Sequence, residues 1–146
     1  MSGESLKVQL EWQGGKRIQV SARGNRIAVD QIYEDGREGM GFRPTELLLG
    51  ALGACTMGTL LGFCENMKIP VESFSIEVEG KREKAPERVG EVRLSLVLSG
   101  DVPEERIETL RRVAKGCRVH YTMTHPPNIV LDLALNERVA SKNKND

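Results

Sequence analysis

The sequence has no surplus of charge of either sign: 21 Lys and Arg stand against 21 Asp and Glu. A chain so balanced carries no whole-molecule field that would gather phosphate backbones or anionic lipid, which argues against nucleic acid and membrane surfaces as partners. A secretory pattern is also missing. Met1 to Gln13 alternates polar and apolar residues where a signal peptide would hold an uninterrupted apolar core, so the expected compartment is the cytoplasm. Cysteine is scarce: three at wide spacings suit a reducing compartment better than a disulfide framework, and any disulfide among them is expected to be chemical rather than structural. There is no Cys-x-x-Cys pair and no paired-histidine spacing, so no metal is expected, and His120 and His125 read as ordinary polar residues. No internal repeat is visible.

What is there fits one α+β domain. A chain of 146 residues can bury a core without staples, and we expect a single domain over residues 1–135 followed by a polar tail over 136–146 that frays. Leu6 to Trp12, Arg17 to Ser21 and Arg26 to Tyr33 alternate like strands, with Gly14-Gly15 and Arg23-Gly24-Asn25 as turns, which predicts an antiparallel meander. Glu34 to Phe42 is Gly-rich and charged, a surface loop leading into a helix that opens with Pro44 in its first turn and runs to about Met67, with Pro70 closing it. Glu72 to Gly80 and Val89 to Leu98 predict a second hairpin. Asp101 followed by Glu104 has the form of a capping box for a helix through Val113 to Lys115, ended by Gly116. Arg118 to Met123 reads as a further helical turn and Asn128 to Ala134 as a last strand. Strands that arrive in hairpins rather than singly between helices exclude a parallel βαβ architecture.

The stretch Leu47 to Cys64 carries no charge and is long enough to raise the question of a membrane span. Its Gly, Ala, Thr and Cys residues dilute its hydrophobicity, Glu46 and Glu65 bracket it, and no basic cluster orients it. A helix buried on all sides is the expectation. One modest sheet cannot cover so much apolar surface, and Gly50 and Gly53 permit close approach of another backbone, so dimerisation around this helix is expected.

Chemistry centres on the thiols. Cys55 lies inside this helix, on a face with Leu48, Ala51, Leu52, Gly58, Thr59 and Gly62, whose small members leave room beside the sulfur. Cys64 is roughly 180° around the helix and about 13 Å along it, so those two cannot bridge, and Cys64 reads as filler. Cys117 follows a Lys-Gly helix end and starts a new turn, a place where a thiol is partly activated. By itself each cysteine reads more readily as a packed hydrophobe than as a nucleophile. No local signature supports a Cys-His hydrolase.

Arg43-Pro44-Thr45-Glu46-Leu47, continued by Leu48-Leu49-Gly50-Ala51-Leu52-Gly53-Ala54-Cys55, resembles the first-cysteine segment of the OsmC/Ohr family, in particular its OsmC-like branch, and Ala114-Lys115-Gly116-Cys117-Arg118-Val119 resembles the second. The resemblance implies an intertwined homodimer, with antiparallel sheets around long central helices and active sites at the subunit interface. It implies thiol-dependent reduction of organic hydroperoxides without metal or organic cofactor, with an external dithiol, such as that of a lipoyl protein, restoring the pair. Cys55 would be the peroxidatic thiol and Cys117 the resolving one. In the better-known peroxidase members a glutamate ten residues before the first cysteine holds an arginine over it; that position here is Thr45, with Glu46 next. Glu46 with Arg43 and Arg37 are the candidates for the activating groups, and Arg17 is a weaker one. The competing class is a non-enzymatic protein that binds a small apolar ligand in the dimer cleft, its cysteines serving as lining.

Overall fold

The computed structural model describes residues 3–136, 138 and 139. Three short strands, β1 (Gln9–Trp12), β2 (Arg17–Ala22) and β3 (Asn25–Asp30), form an antiparallel meander in the order β1-β2-β3, as the alternation predicts. The loop that follows returns along β3. Phe42 donates its N–H to the Ala28 carbonyl and accepts from Asp30 N–H, both at 3.0 Å, and one Asp30 carboxylate oxygen accepts the Met40 N–H at 3.0 Å. Gly39 and Gly41 lie so close to the β3 backbone that a Cβ on either would collide with it, which accounts for the glycines of this loop.

Helix α1 (Pro44–Asn66) starts with proline in its first turn, and Glu46 Oε1 accepts the Arg43 N–H at 2.8 Å, half of a capping box. Its end is fixed by Met67 N–H to Phe63 O at 2.9 Å and Ile69 N–H to Cys64 O at 2.8 Å, with Lys68 in the left-handed region. Strands β4 (Val71–Glu83) and β5 (Arg88–Gly100) form a long antiparallel hairpin that extends past the predicted limits at both ends. α1 packs on β4: Gly53 sits where a Cβ would meet Val78 Cγ2 at 3.0 Å, and Gly80 leaves room for Leu49. Helices α2 (Ile107–Ala114) and α3 (Arg118–Thr124) also contact α1.

Three expectations need correction. Asp101 is not the cap: Val102 N–H bonds to Gly100 O, and Pro103, extended at φ −63, ψ 135, takes the N-cap position of a 3₁₀ turn, Glu104–Arg106, with no side chain bonded to its first amides. Asn128 to Ala134 is not a strand as far as residue 133, because no strand among the described residues offers it a ladder; only β6 (Ala134–Leu135) pairs, with β7 (Arg138–Val139). That small hairpin enters the region expected to fray, of which residues 137 and 140–146 lie outside the described residues. α1 is not buried on all sides either. Leu52, Gly53, Thr56, Leu60 and Cys64 are buried, whereas Leu48, Ala51 and Gly58 are exposed, since one hairpin and two short helices cover only part of its circumference. By length and composition alone α1 passes as a membrane span.

Candidate functional site

Where α3 meets α1, the fold brings two of the three thiols together. Cys55 projects from the middle of α1, half-buried, and Cys117 is the residue from which α3 starts, with no exposed surface. Cys117 has extended geometry, φ −91 and ψ 140, and its Sγ accepts the N–H of His120 at 3.3 Å. The sulfur thus does what a serine or aspartate oxygen does at a helix start, satisfying an amide that has no partner within the helix.

The Cys55 thiol is held below the ordinary range of a cysteine. The largest cause is a hydrogen bond from the Cys117 thiol, and the next is the N–H of Val119; partial burial opposes them, and the Arg118 N–H and guanidinium charge add to the lowering. Donors aimed at a sulfur favour its anion, so the first turn of α3 acts on Cys55 as well as on Cys117. Cys64, 2 % exposed and lacking such donors, is pushed up by burial. All three cysteines are free thiols.

The remaining candidates lie elsewhere in the chain. Glu46 is exposed in the first turn of α1, about 13 Å along the axis from Cys55 and bonded to the Arg43 amide. Arg43 immediately precedes α1. Arg37 stacks on the Tyr33 ring, 4.2 Å from its centroid, in the loop after β3. Arg17 opens β2 opposite Asp30. The groups that act on Cys55 are those of α3, and sequence reasoning missed Arg118 and the Val119 amide among them. The signal was present, because a helix that starts at Cys117 must present the amides of the next residues at its N-terminal end, next to whatever that end touches. Along α3 an open cleft of about 490 Å³ is lined by Gly116, Arg118, Tyr121, Thr122 and His125, without either cysteine. Among the described residues no cluster of His, Cys, Asp and Glu could hold a metal ion.

The family model described as OsmC-like protein matches residues 36–132, a span that includes both cysteine segments. The chain belongs to the OsmC-like protein family. Solved structures share the OsmC-like fold across nearly the whole chain. An OsmC-like protein from Mycoplasma pneumoniae superposes with a TM-score of 0.74 at 19% identity, covering 85% of this chain and 90% of its own. A hypothetical protein from Aquifex aeolicus gives 0.71 at 22%, covering 86% and 91%. An organic hydroperoxide resistance protein from Elizabethkingia anophelis gives 0.61 at 19%, covering 86% and 92%. No curated protein matches the chain. Identities this low establish the OsmC-like fold, whose helix pair carries Cys55 and Cys117 here.

Proposed function

We propose that this chain is a cysteine-based peroxidase that reduces organic hydroperoxides through a cycle on Cys55 and Cys117. The reading is carried by the packing of the start of α3 on α1, which sets Cys117 and the Arg118 and Val119 amides toward Cys55 and holds its thiol down. The Cys55 thiolate attacks the peroxide O–O bond, one oxygen stays as a sulfenic acid, and the other leaves as the alcohol after taking a proton. The Cys117 thiol then displaces water from the sulfenic acid and closes the disulfide. An external dithiol, which a lipoyl protein would supply, returns both sulfurs to thiols. Kinship with a family that includes organic hydroperoxide resistance proteins supports the substrate class.

Arg118 is the proposed activating cation. Glu46, Arg43 and Arg37 join the site if a second copy brings the start of its α1 to this Cys55. Such a homodimer is favoured by the open face of α1 at Leu48, Ala51 and Gly58, and by Ile129, Val130, Leu131 and Leu133, all exposed in the single chain. Sedimentation of the full chain should show a dimer at micromolar concentration, in the proposed cytoplasmic setting. Domain limits of 1–135 with a tail over 136–146 remain part of this proposal.

The test is stopped-flow oxidation of the reduced chain by tert-butyl hydroperoxide and by hydrogen peroxide, followed by peptide mapping. Faster reaction with the alkyl peroxide, and a Cys55–Cys117 disulfide with Cys64 free, is the expected result. If neither peroxide reacts faster than with a free thiol, the peroxidase reading is wrong and binding of a small apolar ligand replaces it.

A further inference from the structure

The two sulfurs of the pair differ in access. In the single chain Cys117 has no exposed surface, whereas Cys55 keeps part of its own open. In thiol-disulfide exchange the incoming thiolate approaches along the line of the S–S bond, from the side away from the sulfur that leaves, so the reachable sulfur is attacked and the enclosed one departs. Cys117 is also equipped to depart, because its Sγ already accepts the His120 N–H at 3.3 Å.

We propose that the oxidised pair is always reopened at Cys55, with Cys117 as the leaving sulfur received by the His120 amide. This rests on the disulfide cycle proposed above and fixes its direction. One thiolate of the reducing dithiol bonds to Cys55 Sγ, the Cys55–Cys117 bond breaks, and its electron pair goes to Cys117 Sγ. The second thiol of the reductant, after losing its proton, attacks its own partner sulfur in the mixed disulfide. The reductant closes its ring, and Cys55 is released as the thiolate. Two electrons pass from the dithiol to the protein, and the peroxidatic sulfur emerges in the form it needs for the next peroxide. The reductant must therefore bring an extended, unencumbered thiol to α1, and it has no need to reach the seat of Cys117.

Diamide makes the disulfide in the full chain without calling on peroxide chemistry. A brief exposure to 2-mercaptoethanol, quenched with N-ethylmaleimide and mapped by mass spectrometry, then reads the direction. The expected pattern is mercaptoethanol on Cys55 and maleimide on Cys117, in excess over the reverse by about tenfold or more. A reversed or even pattern overturns the direction of attack and leaves the cycle standing. Failure of diamide to join Cys55 to Cys117 removes the cycle and this inference with it. A second measurement needs no disulfide: the Cys117 thiol of Cys55→Ser should react with an aromatic disulfide about tenfold or more slower than the Cys55 thiol of Cys117→Ser. Equal rates, with both variants folded, overturn the proposal.

Discussion

Two thiols on one helix are treated in opposite ways. Near its C-terminal end α1 presents Cys64 to the interior, where burial disfavours the thiolate and pushes the thiol up. In its middle the same helix presents Cys55 to the start of α3, where the Cys117 thiol, the Val119 and Arg118 amides and the Arg118 charge hold it down. Both residues sit in one apolar stretch, and helix position alone says nothing about which would be reactive. What surrounds each sulfur decides it: burial alone acts on Cys64, and a helix start offers Cys55 donors.

The largest expected effect comes from removing the favoured thiol. Cys55→Ser should reduce peroxide turnover to that of a solution without protein, measured by consumption of tert-butyl hydroperoxide with excess dithiol. Residual turnover in that variant would place the chemistry on another sulfur and break the comparison. Cys117→Ala should come next. It deletes the resolving sulfur and the strongest donor to Cys55, so the first turnover survives while cycling through the disulfide stops. Its pH signature has a definite sign: a lowered thiol is ionised further into the acid range, so the rate of alkylation of Cys55 by iodoacetamide should rise with pH at a midpoint below that of an ordinary cysteine. In Cys117→Ala that midpoint should move up. An unmoved midpoint would mean that Cys117 does not assist Cys55.

Arg118→Gln should have a smaller effect of the same sign. The arginine is exposed and its charge is the last and least of the causes that lower Cys55, so solvent and salt screen it. The alkylation midpoint of Cys55 should move up by less than in Cys117→Ala, and the first-turnover rate near neutral pH should fall with it. The effect should shrink as salt is raised.

The meander and the long hairpin were legible because alternation is local, and α1 was legible because its uncharged run, bracketed by Glu46 and Glu65, lies between Pro44 and Pro70. The nearness of Cys55 and Cys117 was legible through the resemblance of their two segments and not through spacing, since the hairpin and α2 separate them in the chain. Residues 128–133 misled for a physical reason. Their apolar composition is that of a strand, but a strand exists only where a second backbone completes its ladder, and the described chain provides none. Arg118 was overlooked because its effect on Cys55 passes between two helices: the helix start at Cys117 is legible along the chain, but the element it touches is not.

The smallest effect on activity, and the sharpest test of the comparison, is expected at Cys64. Its side chain faces the interior at 2 % exposure, and its backbone carbonyl, not its sulfur, receives the Ile69 amide that ends α1. Cys64→Ala keeps that carbonyl and removes a group about the size of a methyl, so it should cost on the order of 1 kcal/mol of stability through the cavity left behind. Urea unfolding should show a lower midpoint with an unchanged slope. First-turnover rate, cycling rate and the midpoint of Cys55 alkylation should all match the parent chain, because no donor or charge acting on Cys55 is altered. Loss of peroxidase activity in a folded Cys64→Ala protein would mean that the two ends of α1 are coupled in the chemistry. The contrast between a sealed thiol and an activated one would then have to be abandoned.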